Sequence, residues 1–408
     1  MTLLSVLRLA VAPLVSLFIF ELGNGFFPTL LSLQLSVQGH SDLIIGCVAG
    51  SFYGGLLLGA FSIEPIIGRF GHIRAFAAFA SGLTVLCMLN GMFDNIIFWI
   101  LIRFIGGIAT AGVFIVIESW LLCVSSVETR GQILSFYMMS FYAAQAVGQL
   151  ILKLESSEHL FFFAITAMLC SASVIPLSMT RVMLPEYDEP DAMNMKELYQ
   201  KTASGMVGAF CGGLIMGALY SLLPVVLNDL FHSSSRVSEY MFVMILGGMI
   251  LQFPIGKLSD VIERRIVIIF VCIGIIAVCL LIQHYLLPSW QLMLLITLFG
   301  GLTFTLYPLS ISYACDSIES NQIVAVIQGM LIAYSVGAMI GPFVAPFFMG
   351  AFSTKGLFIF VILIALSLTV FLLYRKTQSV SMPQEEPFRL VPQITPIMTE
   401  LDPRQEGE

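Results

Sequence analysis

The sequence predicts an all-α integral membrane protein of twelve transmembrane helices, arranged as two six-helix bundles related by a pseudo-repeat. Three observations lead to this fold class. Of the 408 residues, 58% are hydrophobic and only 11% are charged, which is more apolar side chain than a water-soluble core can bury. Apolar runs long enough to cross a bilayer occur twelve times. Landmarks in the first six runs recur in the last six.

Each predicted span has the roughly 20 helical residues that are needed to cross a hydrocarbon core of ~30 Å. The apolar run of the first span follows Arg8, continues to about Gln34 and contains Glu21, which makes it too long and too polar for a cleaved leader peptide. In chain order the spans are 5–34, 43–63, 73–93, 96–124, 132–152, 160–180, 205–227, 239–257, 266–286, 290–314, 322–349 and 355–374.

The positions of the basic residues predict the orientation of these spans. With the N terminus in the cytoplasm, fourteen Lys and Arg residues fall on the inner side, whereas only Lys153, Arg236 and Lys355 fall in outer loops. The positive-inside rule therefore predicts that both termini are cytoplasmic. We expect a multi-pass protein of the bacterial inner (plasma) membrane, with the lipid bilayer around it.

Hydrophilic segments predict the domain boundaries. The longest one between spans, 183–204, divides the chain into an N-terminal bundle at 1–182 and a C-terminal bundle at 205–375. We interpret 183–204 as a cytoplasmic linker and 376–408, which lacks apolar periodicity, as a disordered cytoplasmic tail. The linker and tail carry most of the net charge of −7, and no basic patch indicates nucleic-acid binding.

Landmarks of the two halves recur at nearly one spacing. Gly106-Gly107 in span four has its counterpart 194 residues later at Gly300-Gly301 in span ten. Gly148 in span five corresponds to Gly341 in span eleven, 193 residues later. The basic loop after span two recurs 192 residues later, after span eight. Transporters are often built from such repeats.

The loop after span eight resembles a signature of the major facilitator superfamily, which reads G-x-x-x-D-R-x-G-R-R. The segment Gly256-Lys-Leu-Ser-Asp260-Val-Ile-Glu-Arg264-Arg265 keeps the Gly, the Asp and the paired Arg. The first-half copy keeps Arg69, Gly71 and Arg74, but Glu64 and Gly68 stand where Gly and Asp belong. Arg103 followed by small residues resembles the superfamily's span-four motif. Glu118-Ser-Trp and Phe304-Thr-Leu-Tyr-Pro308 resemble its YcaD-like branch.

This resemblance implies a secondary transporter that works by alternating access. It also implies a cytoplasmic gate formed by Asp260, Arg264 and Arg265 together with Arg69 and Arg74, and Glu118 is the best-placed acid to receive either first-half arginine. The alternative is that these basic residues act only as topology signals. Proton antiporters of the superfamily that export drugs carry Gly-Pro in span five, where this chain has Gly148-Gln149. That departure favours uptake over export.

Three charged residues lie away from the ends of the predicted spans: Glu21 in span one, and Arg103 and Glu118 in span four. A charge near the bilayer centre costs about 2.5 to 3.5 kcal/mol on insertion scales, so each needs a reason. Glu118 lies ~22 Å along the helix from Arg103 and cannot pair with it, whereas Glu21 is within reach of Arg103. The alternative interpretation is that these residues form permanent ion pairs between helices.

The second half offers hydrogen-bonding and aromatic side chains in place of charges. We expect these residues to complete a central coupling and substrate cavity with Glu21, Asn24 and Arg103. The second-half members of this predicted cavity are Tyr220, Gln252, Tyr307, Ser312, Gln328 and Tyr334.

The sequence therefore predicts a monomeric secondary active transporter that moves a small solute and is coupled to protons through Glu21. A low dielectric favours the neutral carboxyl group and a nearby guanidinium favours the carboxylate, so Glu21 is suited to change protonation during transport. A sodium-coupled or facilitative cycle, efflux by proton antiport, and a nontransporting receptor or scaffold are the alternatives. No nucleotide-binding, catalytic or metal-binding motif occurs, and we expect neither an enzyme nor a cofactor.

Overall fold

The computed structural model describes residues 3–125, 127–154, 160–180, 195–285, 289–316 and 323–376. The first twelve residues of the predicted linker and the predicted tail from residue 377 onward lie outside this part of the chain. The helices are α1 Leu3–Asn24, α2 Phe27–Val37, α3 Asp42–Ser62, α4 Glu64–Phe70, α5 His72–Met92, α6 Ile96–Val124, α7 Val127–Gln149, α8 Phe161–Ala172, α9 Val174–Ser178, α10 Met195–Phe231, α11 Ser234–Ser259, α12 Arg264–His284, α13 Trp290–Cys315, α14 Ile323–Phe352 and α15 Gly356–Lys376.

Every predicted span corresponds to one helix or to one broken helix. Spans one and six are each broken into two, as α1 with α2 and as α8 with α9. Within the described ranges, ten segments are long and apolar enough to cross a membrane. Those ten omit α7, whose first turns are polar, and treat α14 and α15 as one stretch. The fold is that of a twelve-span membrane protein, because helices satisfy their own backbone groups in lipid.

The break between α1 and α2 follows from Pro28 and Gly25. Pro28 lies in the first turn of α2 and has no N–H to continue the hydrogen-bond ladder of α1. The carbonyl oxygen of Gly25 accepts a hydrogen bond from Gln149 Nε2 at 2.7 Å. A side chain at residue 25 would also collide with the backbone of Gln145. The break thus leaves a backbone carbonyl that α7 satisfies.

The N-terminal end of α10 lies earlier in the chain than the predicted start of span seven at residue 205. The structure is helical from Met195, and only Thr202, with φ −136° and ψ 54°, interrupts α10 before the span. Leu198 on this short leading helix is buried. The predicted linker end at residue 204 therefore falls within α10, because an apolar anchor within the hydrophilic segment lets the chain start its helix earlier.

The internal repeat is visible in how the helices touch. In each half, glycines on the second and fourth spans press against a backbone carbonyl of the other span, so that no side chain fits between them. The matching pairs are Gly55 with Phe104, Gly107 with Phe52, Gly247 with Thr297, and Gly300 with Met244. Corresponding residues are 192 or 193 positions apart. By this packing Gly107, and not Gly106, is the counterpart of Gly300.

The two halves meet at one end of the bundle, which we call the closed end: the start of α3 and α11 and the end of α7. There Gly46 on α3 lies against the Pro342 carbonyl of α14. Ser238 Oγ of α11 donates to the carbonyl oxygen of Gln149 at 2.6 Å. Lys153 Nζ lies 2.8 Å from Glu239 Oε1. These contacts seal the space between the halves from that side.

Candidate functional site

A space of about 740 Å³, including its part open to solvent, forms a cavity between the two halves, below the closed end. Residues from α1, α2, α3, α6, α7, α10 and α14 line it, so both halves contribute. An adjoining pocket shares Pro28, Phe52, Tyr53 and Tyr220 with this cavity. The pair of spaces forms one candidate site, and the predicted residues Glu21, Asn24, Tyr220 and Tyr334 line its larger part while Arg103 lines the smaller.

Glu21 is fully buried at the wall of the larger cavity. Its Oε1 accepts a hydrogen bond from Asn24 Nδ2 at 3.0 Å, one turn further along α1. Its other carboxyl oxygen, Oε2, has no hydrogen-bond partner among the described residues. A carboxyl group held by one neutral amide in an apolar wall is free to exchange a proton or to meet a ligand.

Arg103 makes different contacts from those the sequence suggests. Its guanidinium carbon lies 4.1 Å from the ring centroid of Phe52 and 5.5 Å from that of Phe27. In the described part of the chain it forms no ion pair with Glu21. α6 directs Arg103 towards α2 and α3, where the two rings cover it, because an aromatic face attracts a cation.

The second half contributes mainly phenol groups. Tyr220 on α10 donates a hydrogen bond to Gln145 Oε1 of α7 at 2.9 Å. The Tyr334 ring lies 4.6 Å from the buried Tyr307 ring, which stands behind it. Gln252 is buried and its Nε2 donates to the Tyr142 hydroxyl oxygen at 3.3 Å. Tyr307 and Gln252 thus support lining residues and do not line the cavity themselves.

Two residues of the predicted cavity, Ser312 and Gln328, lie away from it. Ser312 is in the last turn of α13 and Gln328 is near the start of α14. Gln328 is six residues before Tyr334, which is ~9 Å along the helix at 1.5 Å per residue. Both residues therefore lie too far along their helices to reach the cavity. The sequence locates each helix end only to within a few residues, and so it did not exclude them.

Sequence reasoning missed several lining residues, above all Tyr53 on α3 and Tyr142 with Gln145 on α7. Gln145 could have been predicted from the sequence, because it is a polar amide inside an apolar run, as Asn24 is. The aromatic residues carried none, since a Tyr or Phe in a membrane helix fits lipid, helix contact or cavity equally well.

The second-half gate residues form a network within their own bundle. Arg264 is 1% exposed, and its Nη1 donates to the Ser312 carbonyl oxygen at 2.7 Å and to Asp316 Oδ1 at 2.8 Å. Arg264 Nη2 lies 3.4 Å from Asp260 Oδ1, and Arg265 Nη2 donates to the Tyr313 hydroxyl at 2.7 Å. These bonds join the end of α11, the start of α12 and the end of α13.

The first-half gate residues are arranged differently. Arg69 and Arg74 are exposed, and within the described ranges neither forms an ion pair with Glu118. Glu118 is buried, and its Oε1 accepts a hydrogen bond from the Tyr137 hydroxyl at 2.7 Å. The predicted pairing of Glu118 with Arg69 or Arg74 stays a prediction for a conformation in which this end of the bundle closes.

The ion pair at the closed end permits a direct test of how the halves are held. Lys153→Glu places two acids opposite each other, and an exposed pair is worth about 0.2 to 1 kcal/mol. Ser221→Cys places a probe in the smaller pocket, and the partly exposed Cys47 and Cys123 are replaced by Ala. We expect Lys153→Glu to raise labelling of this probe roughly two- to fivefold when an impermeant maleimide is added from the closed end. The double swap Lys153→Glu with Glu239→Lys should restore low labelling. A double variant that labels like the single one would contradict this role.

Comparison with known sequences gives a consistent result. A family model described as Major Facilitator Superfamily matches residues 13–194 and 205–400. The chain is 30% identical over 355 residues to an uncharacterized MFS-type transporter, YcaD, from Escherichia coli O7:K1 (strain IAI39 / ExPEC), a match that covers 85% of this chain and 90% of that protein. YcaD of Escherichia coli strain K12 / DH10B is equally similar.

Solved structures share the fold. A bacterial homologue of the human lysosomal transporter Spinster, in an inward-facing and occupied conformation, superposes with a TM-score of 0.75 at 14% identity, covering 95% of this chain and 100% of its own. The nucleoside transporter NupG superposes with a TM-score of 0.70 at 14% identity, covering 90% of this chain and 98% of its own.

Proposed function

Since this chain belongs to the Major Facilitator Superfamily and is therefore a secondary transporter and not an enzyme, we propose that it takes up a small solute across a bacterial inner membrane by alternating access, driven by protons. The observation that carries the proposal is Glu21. This buried carboxyl group lines the cavity between the halves, and its one hydrogen-bond partner among the described residues is the neutral amide of Asn24.

Alternating access requires the closed end and the opposite end to open in turn. In the structure Ser238, Lys153, Gln252 and Tyr220 form hydrogen bonds or an ion pair between the halves, and these contacts lie at the closed end or beside the cavity. With both termini cytoplasmic, as the positive-inside rule predicts, the closed end faces outward. This arrangement supports an inward-facing state whose outer end must part in the other state.

Reconstitution tests the proposal. Proteoliposomes containing the full chain would be offered a panel of small solutes with and without a pH gradient, and both solute uptake and internal pH would be followed. We expect at least one solute to accumulate with the gradient and to carry protons with it. Uptake that is the same with and without the pH gradient would support a sodium-coupled or facilitative cycle. Binding without transport supports a receptor, the alternative outside the transporter class.

We favour uptake over efflux because Gly148-Gln149 replaces the Gly-Pro of the drug exporters. In the structure Gly148 presses against the Leu22 carbonyl, and Gln149 Nε2 donates to the Gly25 carbonyl oxygen. Proline has no side-chain donor for that bond. Transport in right-side-out and inside-out vesicles, compared at equal gradients, distinguishes the two directions.

The gate at the opposite end gives a second expectation. Asp260→Asn and Glu118→Gln remove acids from the predicted gate, which weakens the conformation in which that end is closed. We expect each to raise labelling of Ser221→Cys from the cytoplasmic side of inside-out vesicles by a few-fold. Asp94→Asn, an exposed acid in the loop between α5 and α6, is the matched control. Unchanged labelling with normal transport would leave these residues as topology signals only.

A further inference from the structure

Arg103 is a buried cation that forms no ion pair with any acid in the part of the chain that the structure describes. The residue is 5% exposed, and its Nε is buried with no hydrogen-bond acceptor among the described residues. Within the described ranges its guanidinium makes cation–π contacts with the rings of Phe52 and Phe27. An arginine is charged at every accessible pH and has five N–H donors. Two aromatic faces replace only part of what water or a carboxylate would supply.

The lining of the site provides no acid that meets this charge. Of the described residues that line the cavity and its adjoining pocket, Glu21 and Arg103 are the charged ones, and they do not pair with each other. Glu21 is hydrogen-bonded to Asn24 on its own helix. When Glu21 holds the coupling proton, the site has a net positive charge. The fork of the guanidinium matches an oxyanion with two oxygens.

Much of the rest of the lining is aromatic. Half of the fourteen residues around the larger cavity carry aromatic rings, and four of these are phenols. The ring-bearing residues are Phe52, Tyr53, Phe114, Phe141, Tyr142, Tyr220 and Tyr334. Such walls hold a flat apolar body by stacking and edge contacts, while their hydroxyl groups bind a few polar substituents. A small inorganic anion would leave these walls unused.

We propose, on the basis that the chain transports a solute through this cavity, that the solute is an organic anion with a flat apolar body. Its carboxylate or similar oxyanion binds the Arg103 guanidinium in the smaller pocket, and its body lies between the rings of the larger cavity. Arg103 is thereby the residue that determines charge specificity. An organic cation of the same shape is repelled by Arg103 and excluded.

Matched ligands test this assignment without knowledge of the natural solute. Binding to the purified full chain would be measured by calorimetry for benzoate, benzamide and benzylamine, and for 1-naphthoate with its amide and aminomethyl analogues. We expect each carboxylate to bind at least about tenfold more tightly than its amide, through charge-assisted hydrogen bonds. Arg103→Gln should abolish that preference, Arg103→Lys should keep part of it, and Lys355→Gln, an exposed charge removal, should keep all of it. No preference for carboxylates in the wild-type protein overturns the proposal.

Thermal stability gives a measurement that needs no ligand. If Arg103 lacks a counter-charge in the free protein, Arg103→Met should raise Tm by about 2 to 5 °C, as expected for a site kept strained for binding. If Arg103 instead stabilises the fold through Phe52 and Phe27, Arg103→Met lowers Tm or fails to fold. Either of those results overturns the proposal. Lys355→Met should leave Tm within about 1 °C.

The two proposals fail in different ways. Carboxylate binding that depends on Arg103 without transport in proteoliposomes would contradict the transport function and leave the anion site intact. Concentrative transport of amines or neutral solutes that is unchanged in Arg103→Gln would support the transport function and contradict the anion site.

Discussion

Replacing Glu21 with Gln is expected to abolish concentrative uptake and leave counterflow intact. Glutamine keeps the size of the side chain and an oxygen that accepts the Asn24 hydrogen bond, but it cannot bind and release a proton. One proton crossing a gradient of one pH unit supplies about 1.4 kcal/mol, which sustains about tenfold accumulation of one solute. The accumulation ratio of the variant should therefore fall to about one.

The measurement compares gradient-driven uptake with counterflow for the solute that the wild-type protein accumulates in proteoliposomes. Counterflow requires the cavity and the conformational change but no net proton transfer. Asp94→Asn, which removes an exposed acid, is the matched control and should behave like the wild type. Should Glu21→Gln keep both wild-type accumulation and its pH dependence, Glu21 is not the coupling residue. Loss of counterflow as well would indicate a structural role.

A side chain at Gly46 is expected to shift the protein towards the conformation in which its outer end is open. A Cβ built at Gly46 overlaps the Pro342 carbonyl oxygen of the other half. Overpacking of this kind costs about 1 to 3 kcal/mol, which changes the ratio of two conformations by about 5- to 150-fold. The halves can relieve the overlap by moving apart as rigid bodies, because the contact exists only when this end is closed.

A glycine-to-alanine substitution at a contact within one half cannot be relieved by movement of the halves. Gly55 presses against the Phe104 carbonyl inside the first bundle, and Gly55→Ala should lower Tm and folded yield with no selective effect on access. Gly46→Ala should raise labelling of Ser221→Cys from the outer side while Tm changes little. Gly82→Ala, where a Cβ meets nothing within 4 Å, is the control for both. Wild-type labelling in a well-folded Gly46→Ala protein would contradict this account of the closed end.

Much of the fold could be predicted because its signals are local. Each apolar run is long enough to cross a bilayer, and in lipid a lone segment must become a helix to satisfy its backbone. The recurrence of Gly106-Gly107 at Gly300-Gly301 and of Gly148 at Gly341 indicated the repeat, and the loop at Asp260 indicated the superfamily. The intramembrane charges of Glu21 and Arg103 stood out for the same reason, since their cost depends on depth alone.

The membership of the site was decided only by tertiary structure. Whether a polar residue faces the cavity depends on how each helix is rotated and tilted against its neighbours, and those angles depend on contacts between residues far apart in sequence. Thus Arg103 meets the rings of Phe52 and Phe27, and not Glu21. For the same reason Tyr142 and Gln145 line the site or its edge, whereas Ser312 and Gln328 lie at helix ends away from it. Hydropathy predicts the position of a side chain along the membrane normal to within a few residues. The direction in which the side chain points is determined by how the helices pack against one another.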